Sequence, residues 1–136
     1  GVEGLTLVYS SSDIVGTRGA LSGDQTAWKV SYAYGPVTAT ATQSEYDVTT
    51  TTSDQDVSSM AVSYTISDEM SVTYGTETIE STSTGDIDAE YDVIKGSYTS
   101  GGMTVSAQRK TAENIDHSTN SNADLEYWGL GLAFAF

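Results

Sequence analysis

Apolar residues in this chain recur at every second position, and the segments that do so are joined alternately by very short and by long, polar connections. Trp28, Val30, Tyr32 and Tyr34 alternate with Lys29, Ser31 and Ala33, and Met60, Val62, Tyr64 and Ile66 with Ala61, Ser63 and Thr65. The same holds for Val72 and Tyr74, for Met103, Val105 and Ala107, and for Trp128, Leu130, Leu132, Phe134 and Phe136. A period of two puts such residues on one face of a β-strand, whereas a helix needs a recurrence every three or four. Thr, Ser, Val and Tyr supply the rest of these segments, and their chemistry favours strands. The chain therefore reads as all-β, with almost no helix.

Marking the turns exposes a repeat. The segments KVSYAYGPVTATATQ, AVSYTISDEMSVTYGT and IKGSYTSGGMTVSAQ each read strand, tight turn, strand. Val37, Met70 and Met103, which open the second strands, lie 33 residues apart, and Leu5 lies 32 before Val37. GLTLVYS matches those second strands, so GVEG reads as a turn whose preceding strand is missing. Eight strands are expected, near 4–10, 27–35, 37–46, 57–67, 70–80, 89–99, 103–112 and 125–136. Tight turns fall at Gly35-Pro36, Ser67-Asp68-Glu69 and Ser100-Gly101-Gly102, with residue types suited to hairpins. The connections 11–26, 47–56, 81–88 and 113–124 are longer and rich in Ser, Thr, Asp and Asn.

Strict alternation collects the long loops at one end of a sheet and the tight turns at the other. An antiparallel transmembrane β-barrel has this plan, with short turns on one side, long loops on the other and an apolar outer face. Lipid offers the backbone no hydrogen bonds, so such a sheet must close. Tyr9, Trp28, Tyr34, Tyr74, Tyr98 and Trp128 stand near strand ends, where interfacial girdles form. A soluble sandwich or adhesin would share the period, but the alternate positions hold mainly Ser, Thr, Ala and Gly instead of the Lys, Glu and Arg of a solvated sheet.

Composition narrows the function. Nineteen Asp and Glu against five Lys and Arg give a net charge of -14, which argues against nucleic-acid binding. There is no cysteine, hence neither a disulfide framework nor a thiolate metal site. The longest apolar stretch, GLGLAFAF at 129–136, is far short of the roughly 20 residues of a spanning helix. The chain opens on Gly1 with neither a Met nor a leader, as expected of a processed chain or a fragment.

The last strand, LEYWGLGLAFAF, ends in Phe136 after alternating Phe134, Leu132, Leu130 and Trp128. It resembles the C-terminal assembly signal of bacterial outer-membrane β-barrels, which the barrel assembly machinery reads. Trp128 and Leu130 stand where Tyr is often found. The hairpins SYTISDEMSVTYG and GSYTSGGMTVSAQ resemble those of general porins from alphaproteobacteria. That resemblance implies a trimeric, water-filled channel of about sixteen strands in the cell outer membrane, passing small hydrophilic solutes and ions by diffusion, with no cofactor. Its partners would be outer-membrane lipid and lipopolysaccharide.

Residues 1–136 then form a single barrel domain, either the C-terminal half of such a porin or a complete eight-stranded barrel. The second would serve adhesion or membrane integrity through its loops; a secreted β-sandwich adhesin comes third. The inward face, including Thr38, Thr40, Ser63, Thr73 and Ser106, is too small to fill a narrow lumen and suits a wall wetted by channel water. Lys29, Lys95 and Lys110 share its parity and are expected to line the pore. Most carboxylates lie in or beside the long loops, which suggests an acidic vestibule that concentrates cations.

Asp86, Asp88, Glu90 and Asp92 alternate on one side of a strand and are the one candidate for a divalent cation. They share a parity with Ile94 and Tyr98, so either they stand above the membrane or a bulge near Lys95-Gly96 changes their face. Catalysis is not expected: GxSxG and HExxH are absent, and the single histidine, His117, reads as an exposed loop residue.

Overall fold

The computed structural model describes residues 2–15, 22–48, 54–81, 87–115, 117 and 124–135. It contains eight antiparallel strands: β1 (Leu5–Ile14), β2 (Gly23–Tyr34), β3 (Val37–Val48), β4 (Gln55–Ser67), β5 (Met70–Ser81), β6 (Ala89–Ser100), β7 (Met103–Glu113) and β8 (Leu125–Phe134). They form one sheet in chain order, each strand paired with the next. β1 and β8 do not pair, so the sheet is open and neither version of the expected barrel is closed in it. No helix among the described residues is long and apolar enough to cross a membrane, which leaves strand-built crossings untouched.

The tight turns fall where expected, at Gly35-Pro36 and Gly101-Gly102 and, without either residue type, at Asp68-Glu69. Gly101 and Gly102 both have positive φ, 57° and 80°, as a two-residue hairpin turn of type I′ demands. A Cβ on Gly102 would also lie 2.9 Å from the carbonyl oxygen of Ala135. At their other ends β1 to β4 run beyond the expected limits. β1 continues to Ile14 and β2 begins at Gly23, against 10 and 27. β3 reaches Val48 and β4 starts at Gln55. The pairing is carried through Ser10–Ala27, Ser12–Gln25 and Ile14–Gly23, because ladder hydrogen bonds need backbone, not apolar side chains.

Register is continuous in every ladder except between β4 and β5, where it shifts between Thr65 and Ser67. β6 pairs through Lys95 and Gly96 without interruption on both sides, so the bulge considered there does not occur. Its face is the same from Glu90 to Tyr98.

The sheet has almost no core. Among the described residues, Val48 and Ala89 are the buried hydrophobic ones, while Leu7, Tyr9, Tyr34, Met60, Trp128 and Leu130 are all more than 60% exposed. The accessible area is 9543 Å² for 14.4 kDa, against about 6,800 Å² for a compact soluble monomer of that mass. Water on both faces would leave this fold without its main driving force.

Candidate functional site

Paired residues across an antiparallel ladder share a face, so the register assigns every strand position to one of two surfaces. One surface carries Leu5, Leu7 and Tyr9 of β1; Trp28, Val30, Tyr32 and Tyr34 of β2; Met60, Val62 and Tyr64 of β4; and Trp128, Leu130, Leu132 and Phe134 of β8. Val37, Ala39 and Ala41 join it on β3, Met70, Val72 and Tyr74 on β5, Ile94 and Tyr98 on β6, and Met103, Val105 and Ala107 on β7. Each strand gives this apolar face two to four such positions, in or just beyond the half nearer the tight turns.

The band they form is inclined to the hydrogen-bonded rungs. Its loop-side margin is the rung Tyr9–Trp28 on β1 and β2. It drops by two residues to Ala41–Met60, which is level with Val30, and by two more to Tyr74–Ile94, level with Val62. The other margin drops in the same sense, from Tyr34–Val37 to Met70–Tyr98 to Ser100–Met103. Both margins step together, so the band keeps its width across the sheet. Tyr9, Trp28, Tyr74 and Trp128 lie on its loop-side margin, and Tyr34, Tyr64, Tyr98 and Phe134 toward the turns.

Above the band the same surface becomes acidic. Asp13, Asp24 and Asp47 occupy one rung, Glu45, Asp56 and Glu80 the next, and Glu90 faces Glu113. Arg109 sits at the margin, 3.0 Å from Glu126 and with its guanidinium 5.7 Å from the centre of the Trp128 ring. The Trp128 indole N–H donates to Glu126 as well, and the Tyr74 hydroxyl donates to Asp92 at 2.7 Å. These bonds fix two rim aromatics against charged neighbours.

The opposite surface, here the hydroxyl face, carries Thr38, Thr40, Ser63, Thr73 and Ser106 together with Lys29, Lys95 and Lys110. Hydroxyls meet across strands: Ser31 with Thr40 at 3.1 Å, Thr42 with Ser59 at 2.6 Å, Ser63 with Thr73 at 2.9 Å and Ser71 with Ser97 at 2.8 Å. Toward the loops this face turns apolar in its own right, with Ile14, Tyr46, Val48, Val57, Ile79, Tyr91, Leu125 and Tyr127. Polarity thus reverses on both surfaces at about the same height. A single-period reading of the sequence misses the reversal, because the apolar residues change parity there.

The acid expected to form a vestibule is sorted by face within the strands. Among described strand residues, Glu77 is the one carboxylate on the hydroxyl face; the others lie on the surface that bears the apolar band. Asp54 and Asp124 instead accept from the backbone N–H groups of Val48 and Asn114, at 2.8 and 3.2 Å, and close the long connections.

Of the cation candidates, Asp86 lies outside the described residues, as does Phe136 of the terminal signal; Asp88 precedes β6, and Glu90 and Asp92 stand above the band. No group of three or more potential ligands forms among the described residues. His117 is not a free loop residue. It is half-buried, and its Nδ1–H donates to the carbonyl of Ile87 at 2.8 Å, tying one long connection to the next. No protein-family model, no curated protein and no solved structure matches this chain.

Proposed function

We propose that this sheet is part of the wall of an outer-membrane porin, a water-filled channel for passive diffusion of small hydrophilic solutes and ions. The observation that carries the reading is the inclined apolar band. Strands of a transmembrane barrel tilt by roughly 35–45°, so a belt level with the membrane must step across the rungs. A sheet packed on a protein layer has no reason to keep such a belt at constant width with aromatic margins. The hydroxyl face supports the other half of the proposal, since its short polar side chains suit channel water and its lysines would tune ion selectivity.

Hydrocarbon satisfies no backbone donor, so the edges of β1 and β8 must both be paired in the membrane. The small residues of the turn-side hydroxyl face favour strands beyond this sheet over direct closure of eight, which would leave voids. Outer-membrane lipid and lipopolysaccharide would cover the band, the barrel assembly machinery would insert the chain, and a homotrimer is the expected assembly.

Planar-bilayer recording tests the function. Stepwise, ohmic conductance increments that admit both small cations and anions are expected. Folded protein that inserts yet never conducts would leave a loop-bearing barrel without a channel, and the proposal would fall.

A further inference from the structure

The loop-side half of the hydroxyl face holds a cavity of about 500 Å³, within the range of sites for small molecules. Two adjacent rungs build it. The lower runs Ala61, Gly75, Val93, Lys110 and Tyr127 across β4 to β8; the upper runs Ser59, Glu77, Tyr91, Ala112 and Leu125. Gly75 is buried at the floor, where a Cβ would lie 3.3 Å from Val93 Cγ1 and 3.5 Å from Ala61 Cβ, so glycine keeps the floor low. Tyr91, Tyr127 and Leu125 supply apolar area around it.

Two charges flank this apolar patch. Lys110 and Glu77 make no ion pair among the described residues, and Glu77 is the carboxylate that departs from the segregation of acid to the other face. They are two strands and about two residues apart, which places their Cα atoms roughly 12 Å from each other. Side chains of that length reach inward to meet a molecule carrying both signs. We infer that the cavity binds a zwitterionic solute with an aromatic or branched apolar body, of amino-acid to dipeptide size, its carboxylate on Lys110 and its ammonium on Glu77. The site deepens the channel reading by naming the solute that the wall would retain, and rests on it only in that water must reach this face.

The test uses the full chain folded in detergent micelles, with binding read by titration calorimetry. The probes are L-phenylalanine, phenylacetate, which has only the anionic group, and phenethylamine, which has only the cationic one. Saturable L-phenylalanine binding is expected, weakened about tenfold by either Lys110→Met or Glu77→Gln. Lys110→Met should abolish phenylacetate binding and spare phenethylamine, with Glu77→Gln doing the converse. Both side chains are exposed, so these variants keep the fold, which the far-ultraviolet circular dichroism spectrum checks. Absence of saturable binding, or affinities indifferent to both substitutions, overturns the inference. Conductance of the same preparations separates the two claims: protein that binds without conducting keeps the site and loses the channel, and protein that conducts without binding does the reverse.

Discussion

At the scale of single residues, the acidic rungs oppose folding. Asp24 stands directly across from Asp13 on one side and Asp47 on the other. Like charges facing each other across a ladder destabilise it, by an amount comparable to what opposite charges contribute. Asp24→Asn removes two such repulsions while keeping shape and backbone pairing. Its unfolding free energy in micelles, read from denaturant titration, should rise by about 0.5 kcal/mol at low salt. The gain should fade toward 1 M salt, where the screening length is only about 3 Å. A gain that survives high salt would point away from charge repulsion as its cause. Arg109 shows the opposite arrangement, since Glu126 and Trp128 both lie against it at the band's margin.

At the scale of the element, strand positions on the two faces of the sheet should respond in opposite ways to the same substitution. Leu130 is 82% exposed in the middle of the β8 apolar run, and Thr38 lies on the hydroxyl face of β3. Against hydrocarbon, Leu130→Arg should cost roughly 2–4 kcal/mol, as arginine does near the centre of a bilayer-facing strand. Thr38→Arg should fold almost normally, its guanidinium reaching water. Folding yields into lipid vesicles give the comparison, and equal tolerance at both positions would end the membrane reading. The strands themselves were legible wherever apolar alternation was unbroken, as in Trp28 to Tyr34, and the tight turns wherever Gly or Pro stood between two such runs. Their loop-side ends were not. Beyond Tyr9 the alternation passes from Leu7 and Tyr9 to Ile14, on the other parity, with Ser10, Ser11, Ser12 and Asp13 between, and a period read from one end loses phase. The cavity was hidden for a related reason: Gly75, Tyr91 and Lys110 come together only through the register of three successive strands, which periodicity within one strand does not reveal.

At the scale of the whole molecule, the reversal of polarity would set a depth for the proposed membrane sheet. An apolar belt with acid above it on the same surface can sit in only one way against a bilayer, belt in hydrocarbon and carboxylates in the headgroup and water layers. The chain carries its own reporters of that depth, because both of its tryptophans, Trp28 and Trp128, lie on the loop-side margin of the belt, 41% and 69% exposed. Indole rings prefer the interface, where an apolar ring and a polar N–H are both accommodated. Tryptophan emission should therefore shift to the blue on insertion into phosphatidylcholine vesicles, by less than a ring at the bilayer centre would show. Lipids brominated near the carbonyl end of the chain should quench it strongly, and lipids brominated near the terminal methyl only weakly. Burial of the same face against another protein layer predicts a different pattern, blue-shifted emission that no lipid quenches at any depth. Strong quenching from the bilayer centre would place the belt's margin where its middle should be, and the level-belt geometry would then be wrong even if the protein were a membrane barrel.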